Sequence, residues 1–325
     1  MRSPPEEFDA AALRGALADG WEFALAAAAY AAVGAGSYHW VVTDTNGARG
    51  FATVDDLDQK PWLGETREQA LAGLERAFGT AVALRNGGLD FVIAPLVSRA
   101  GATVRRIGPR YSLALFPFVD GEAGTFGRYD AAERTAIVAM LAEVHRATPA
   151  VGATALTIGL DLPGRASLDV ALRALGSGWS GGPFSEPARQ VLARHASDVA
   201  QKLSRYDRLA AAVAKSRDDW VVTHGEPHAA NVMHTEHGHA LIDWDTVALA
   251  PPERDLWMLA DRCEDSLAAY ASATGHTIDR ASIDFFRLRW NLADTAAFTD
   301  VLRSAHQRTS DSVAALENLT ITLAS

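Results

Sequence analysis

The stretch that decides the fold reads WVVTHGEPHAANVM (220–233), followed after a turn by ALIDWD (240–245) and then by APPERDL (250–256). Trp220 to Thr223 is a short β-branched run that delivers a polar loop, and the second stretch returns as the far arm of a hairpin. Strand, loop and hairpin thus present Glu226, Asn231 and Asp243 in that order. Phosphoryl transfer from ATP uses such an order: a carboxylate near the acceptor hydroxyl, an oxygen ligand for magnesium later in the same loop, and an aspartate on the next strand for the same metal. Plainer readings stand beside this one. Glu226 is also readable as a solvated loop acid, and His224 with His228 as a zinc pair. Against zinc, Pro227 removes a helical donor and the glutamate lies between the histidines instead of beside the first. His234, His237 and His239 read as hairpin-turn and surface residues.

The loop pattern resembles the aminoglycoside phosphotransferase family of kinase-like enzymes, which carries His-x-Asp, four residues and Asn; His224, Glu226 and Asn231 match it, with Glu for Asp. Ile242-Asp243-Trp244 is similar to the family's metal-aspartate strand, and Pro252-Glu253-Arg254-Asp255-Leu256 to the stretch whose aspartate anchors the catalytic loop. The likeness is strongest to the spectinomycin phosphotransferase branch. It implies an α+β, bilobal protein-kinase-like fold, with a small β-rich nucleotide-binding lobe over 1–118, a hinge near 117–122, and a larger helical lobe over 119–325 holding the catalytic loop and substrate site. It also implies ATP and Mg2+ as cofactors. Catalytic roles go to Glu226 and His228, the latter approaching the transferred phosphate. Metal roles go to Asn231, Asp243 and Asp245, and structural roles to His224 and Asp255; Asp245 is equally readable as a structural carboxylate.

Outward from this block, the first third alternates strand signals with turns. YHWVVTDT (38–45) and GFATV (50–54) flank Asn46-Gly47, a dipeptide favoured in type I′ hairpins. Gly34, Gly36 and Ser37 fit a tight loop before them, which the resemblance places over the nucleotide and which equally suits a turn with no ligand. The alanine-rich segment 23–32 reads as helix by propensity; only the resemblance makes it a strand. Thr66 and Gln69 form a capping box that starts a helix running to about Arg85. Phe91 to Val97 and Tyr111 to Val119 read as two more strands, completing a small mixed sheet with one long helix. Asp130, with Glu133 three residues on, caps a helix to about Arg146, and the rest is mainly helical, including a long amphipathic stretch over 187–214.

Two departures from the family pattern bear on activity: Glu226 is one methylene longer than aspartate, and Thr53 stands where the nucleotide-gripping lysine belongs. Lysine is scarce, being limited to Lys60, Lys202 and Lys215. Lys60, alone in the first third, is the candidate for reaching the phosphates; its flanking Asp55, Asp56 and Asp58 also suit a plain surface ion pair. Arg49 is an alternative phosphate partner.

Over 325 residues, 48% are hydrophobic and 22% charged, the composition of a globular protein. Net charge of -10 opposes binding to nucleic acid or anionic lipid, and acids such as Glu253, Asp261, Glu264 and Asp265 suit a cationic acceptor. The single cysteine, Cys263, reads as a buried small hydrophobe in a reducing compartment. The opening MRSPPEEFDA lacks a secretory pattern, and no apolar run reaches the roughly 18–20 residues of a membrane span, so a cytoplasmic, unprocessed chain is expected. Two function classes stay open: a kinase acting on a hydroxyl of a small molecule such as an aminoglycoside or aminocyclitol, and a nucleotide- or metabolite-binding pseudokinase.

Overall fold

The computed structural model describes every residue except 1–3, 6, 7, 9, 35, 128 and 261–263. Cys263 and Asp261, and residue 35 within the glycine turn, therefore lie outside the described residues. The fold is α+β, with a sheet-rich N-terminal region and a mainly helical C-terminal part.

Helix α1 (Ala10–Trp21) precedes strands β1 (Leu25–Ala31), β2 (Ser37–Asp44) and β3 (Arg49–Asp56). Helix α2 (Arg67–Asn86), β4 (Arg105–Ile107) and β5 (Tyr111–Pro117) follow. The five strands form one sheet in the order β1-β2-β3-β5-β4, and every pairing is antiparallel, so the sheet is not mixed. Strand alternation separates its two faces. On one face the register lines up Tyr38, Val54 and Leu113, then Trp40, Ala52 and Leu115, and these bury against Leu13 and Leu17 of α1. On the other face Ser37, Asp55 and Ser112 share one row, His39, Thr53 and Ala114 the next. Phe116 on that face meets Phe78 of α2 edge-on at 5.4 Å. The Thr66–Gln69 capping box is present.

Three local expectations change. Segment 23–32 is a strand over Leu25–Ala31, because pairing with β2 outweighs alanine's helix propensity. Phe91 to Val97 is not a strand: Phe91 and Ile93 bond to Leu241 while the Leu96 N–H donates to Leu115, and a segment whose backbone serves two places cannot lie on one ladder. The Asn46-Gly47 turn is not type I′, which needs positive φ at both residues; only Gly47 has it (φ 87°), and the Asp44 carboxylate instead accepts the N–H groups of Asn46 and Ala48.

Beyond β5 come β6 (Glu122–Ala123), α3 (Ala131–Arg146), α4 (Thr148–Val151) and β7 (Leu156–Thr157), with the Asp130–Glu133 capping box opening α3. Next are α5 (Arg165–Arg173), α6 (Ser185–Val213), β8 (Val221–Thr223), β9 (Val232–Thr235), β10 (Gly238–Leu241) and β11 (Ala248–Ala250). Helices α7 (Glu253–Ala260), α8 (Glu264–Thr274), α9 (Arg280–Arg303) and α10 (Ser310–Ala324) end the chain. β10-β9-β6 and β7-β11-β8 form two small sheets.

By contacts, residues up to Ile158 with Asp219–Ile278 make one compact unit, and Gly159–Asp218 with Asp279–Ser325 a second. The 118/119 boundary falls inside the first unit, which also contains every candidate site residue. The second unit is helical: α6, α9 and α10 pack around Leu203, Tyr206, Phe285, Leu292 and Leu319, and Asp279 caps α9.

Candidate active site

The loop after β8 is built on Asp255 at the start of α7. Its Oδ2 accepts the His224 N–H (2.8 Å) and the His145 ring Nε2–H (2.9 Å), and its Oδ1 accepts the Gly225 N–H (2.6 Å). His145, in the last turn of α3, also meets the Tyr270 hydroxyl at 2.6 Å. Burial works against the Asp255 carboxylate, but the His145 hydrogen bond, with the positive charge of Arg254, outweighs it and holds the group below its usual range. Gly225 has φ 101°, a backbone conformation that calls for glycine, and a Cβ there would lie 2.3 Å from the Arg254 guanidinium and displace it. Arg254 reaches across to donate to Thr223 Oγ1 and the Thr246 carbonyl, both at 2.8 Å.

His224 is fully buried and fixes the loop from within. Its Nε2 bonds to the Ile242 carbonyl (2.9 Å) and its Nδ1 accepts the Glu226 N–H (3.2 Å), the pattern of a neutral ring protonated at Nε2. Burial lowers its pKa accordingly. The Glu226 side chain is then presented to the open side, about one-third exposed, with Oε2 3.8 Å from His228 Nε2. Burial and the neighbouring His224 push the His228 imidazole down to about 4, so it is neutral near pH 7. The Phe126 ring meets His228 edge-on at 4.8 Å.

Asn231 closes a single 3-10 turn (Ala229–Asn231) before β9. Its Nδ2 donates to the Glu226 carbonyl at 2.9 Å, leaving Oδ1 without a hydrogen bond among the described residues. The Ile242 N–H donates to the Asn231 carbonyl at 3.0 Å, which brings Asp243 beside Asn231. Asp243 has φ 65°, a left-handed conformation uncommon for a non-glycine residue but better tolerated by Asp and Asn. Its carboxylate takes no hydrogen bond from the described residues. Burial and then the carboxylates of Asp245 and Glu226 push it well above the usual range. The residue is nevertheless exposed, so its carboxyl is crowded by protein and like charge rather than sealed.

Lys60 departs most from the surface ion pair its flanks allowed. It lies beyond β3, just after a 3-10 turn (Leu57–Gln59), and is only 2% exposed. Its ammonium contacts Asp245 Oδ2 at 2.6 Å, Asp55 Oδ1 at 2.9 Å and Ser37 Oγ at 3.0 Å. Desolvation works against the charge, but Asp245 and Asp55 more than offset it and hold the lysine above its ordinary pKa. Asp56 and Asp58 are committed elsewhere, to Arg110 and Arg67. Arg49 lies over the Phe118 ring and meets Asp120. Asp245, an expected metal ligand, thus gives one oxygen to Lys60. Gly34 and Gly36 have φ 67° and 87°, the left-handed backbone that glycine suits, ahead of Ser37.

The other acids divide: Glu264 and Asp265 are exposed, but Glu253 is buried and bound by His276 at 2.8 Å, which removes it from an acceptor-facing set. His234 meets Glu133 at 2.7 Å and His237 is exposed in the hairpin turn. Sequence reasoning missed the roles of Asp55, His145, Arg254 and Tyr270. Arg254 stood in the quoted motif, but nothing local shows that His145 lies against Asp255.

Replacing Asp255 by Ala strands two backbone donors and a buried histidine, and is expected to destabilise by about 3–5 kcal/mol. Because the folded carboxyl is depressed below its unfolded value, its contribution is present above the ordinary Asp range and is lost as pH falls through the folded pKa. Thermal melts against pH should show a shallower acid dependence in the variant; equal slopes and midpoints would remove Asp255 as the loop's anchor.

Comparison with known proteins gives the family and the fold. Protein StrN of Streptomyces griseus is 28% identical over 250 residues, covering 75% of each chain. The structure of spectinomycin phosphotransferase APH(9)-Ia in complex with ADP and spectinomycin superposes with a TM-score of 0.76 at 15% identity, over 97% of this chain and 95% of that one. Amicoumacin kinase hAmiN, in complex with AMP-PNP, Ca2+ and Ami, gives 0.63 at 15% identity over 97% and 93%. The model of the phosphotransferase enzyme family matches residues 33–290, from the glycine turn through α7 and into α9, and the chain belongs to that family of small-molecule kinases.

Proposed function

We propose that the protein is an ATP- and magnesium-dependent O-phosphotransferase acting on a hydroxyl of a small, hydroxylated and cationic molecule of the aminoglycoside or aminocyclitol kind. The observation that carries this is the backbone bond from the Ile242 N–H to the Asn231 carbonyl, which sets Asp243 next to the strand that begins after Asn231, with Glu226 near enough to raise the Asp243 carboxyl. Asn231 and Asp243 offer an oxygen donor set whose negative charge no described cation neutralises by direct contact. The set fits magnesium, which takes few protein oxygens and completes its shell with phosphate and water. When bound, the metal neutralises charge on the transferring phosphoryl group.

Residues 1–118 supply the nucleotide side in this reading, with Gly34, Gly36 and Ser37 over the phosphates and Lys60 contacting them; 119–325 supply the catalytic loop and acceptor side. Glu226 orients the acceptor hydroxyl and takes its proton as the oxygen attacks the γ-phosphorus and the bond to the leaving ADP oxygen breaks. Asp245 holds Lys60 close to the metal side and has its second oxygen to offer. Nucleotide complexes of the structural relatives support ATP as donor, and their substrates support the acceptor class. The excess of acid in the chain disfavours nucleic-acid and anionic-membrane partners. No helix among the described residues is long and apolar enough to cross a membrane. A cytoplasmic site of action, where ATP is available, completes the reading.

The pseudokinase alternative was favoured by Thr53 and Glu226; the placement of Lys60 in contact with Ser37 and Asp55, one row along the sheet from Thr53, supports the active enzyme. Incubation with magnesium-ATP and a panel of hydroxylated antibiotics, sugars and amino alcohols, read by mass, should give phosphate transfer to at least one amine-bearing member. Thermal shift by ATP should be larger with magnesium than without. Nucleotide binding indifferent to magnesium, with no transfer to any member, would establish the pseudokinase instead.

A further inference from the structure

We propose that Asp55 is the positioning residue for Lys60, so that strand and connecting segment have exchanged the two halves of the kinase lysine–carboxylate pair. The inference rests on the reading of Lys60 as the phosphate contact. In kinases the lysine sits on strand β3 and a glutamate of the following helix holds it. Here β3 carries no lysine, and the acids of α2 are engaged: Glu68 meets Arg106 at 3.0 Å, while Glu75 accepts the N–H groups of Thr103 and Val104 at 2.9 and 3.0 Å. The carboxylate is instead on the strand. Asp55, 1% exposed, stands in register with Ser37 on the sheet face away from the α1 core, and the lysine comes back to it from the segment beyond.

The contacts define a division of labour. The Lys60 ammonium donates to Ser37 and Asp245 and pairs as an ion with Asp55 Oδ1 at 2.9 Å, and the Ser37 hydroxyl in turn donates to Asp55 Oδ1 at 2.6 Å. Asp55 and Ser37 belong to the sheet and stay with it. Asp245 belongs to the metal-bearing segment, so its hydrogen bond is the one Lys60 gives up to a phosphate oxygen. Asp55 Oδ2 is buried without a hydrogen-bond partner. A buried carboxylate oxygen left so is unfavourable unless a cation is near, and Lys60 is the one cation that contacts this carboxylate among the described residues. The spare oxygen also gives Lys60 a second acceptor on the same carboxylate when the Asp245 contact is released.

The chain has only three lysines, so amine reactivity is readable residue by residue in digested protein by mass spectrometry. In the parent, Lys60 should acylate far more slowly than Lys202 and Lys215. In Asp55→Asn its labelling rate should rise by about tenfold or more, in Asp58→Asn remain at the parent value, and in Asp55→Glu return most of the way. Calorimetric titration with magnesium-ADP should show Asp55→Asn and Lys60→Met each weakening binding by about tenfold, and the double variant no weaker than either, since the two residues act as one unit. If Asp55→Asn does not fold, Ser37→Ala tests the same cage without a charge change and should raise Lys60 labelling in part. Protection of Lys60 in a folded Asp55→Asn or Ser37→Ala overturns the proposal, as does additive loss in the double variant. Raised labelling in Asp55→Asn with unchanged nucleotide affinity in Lys60→Met would show the pair to be real but the phosphates to be held elsewhere, which overturns the Lys60 reading and the positioning role with it.

Discussion

Glu226→Ala lowers the turnover number with the best acceptor by about 10²–10⁴-fold while leaving nucleotide affinity and thermal stability near the parent values, the range typical of a positioned acid or base. The loop around Glu226 explains why the loss should be purely chemical. Its backbone is held through the His224 ring and the Asp255 carboxylate, so truncating the side chain leaves the frame of the loop in place. The neighbouring His228 is a poor substitute: burial keeps it neutral with a pKa near 4, making it a weak base. Both kcat and kcat/KM should therefore fall together, the mark of an interaction made in the transition state. Glu226→Asp isolates the extra methylene, since a loop adapted to Glu should leave the shorter carboxylate out of reach and recover only part of the rate. Turnover at the parent rate in Glu226→Ala would defeat the assignment, and His228→Ala would then be the next variant to measure.

Glu226 and the residues around it were legible because their signals are local. His224, Glu226, Asn231 and Asp243 lie within twenty residues on one strand–loop–hairpin unit, so their order already encodes their proximity. Both capping boxes were equally legible, since the N-cap and its partner are three residues apart. What could not be read depends on pairings across the chain. β1 is a strand of alanines because β2 provides its ladder, and nothing in its own side chains says so. His145 reads as the basic end of a helix, yet its ring is bound to Asp255 and Tyr270, more than a hundred residues away. Lys60 was singled out by scarcity, but its neighbours in sequence suggested a solvated pair; sheet register decides that Asp55 faces it, and Asp56, on the opposite side of the same strand end, goes to Arg110.

Asp243→Ala removes magnesium-dependent nucleotide binding, and Asn231→Ala does the same to a lesser extent. Magnesium would be held here by few protein oxygens, so losing one of them would remove a large share of what the protein contributes to the metal. The charged oxygen contributes more than the neutral amide, hence the order of the two effects. The apo protein provides a second, independent readout. Asp243 sits in a left-handed conformation among like charges from Asp245 and Glu226, and crowding of its carboxyl by surrounding protein together with those neighbours pushes it up. A site arranged for a cation is destabilising without one, as strained and charge-crowded functional positions commonly are. Asp243→Asn keeps a side chain that tolerates the left-handed region and discards the charge, so its metal-free thermal midpoint should equal or exceed the parent's while the stabilisation by magnesium-ATP disappears. The decisive comparison is the magnesium-ATP affinity of Asp243→Asn against that of the parent: equal values would show that the metal is held elsewhere, and a lowered apo midpoint would show that the carboxylate stabilises the fold instead of waiting for a cation.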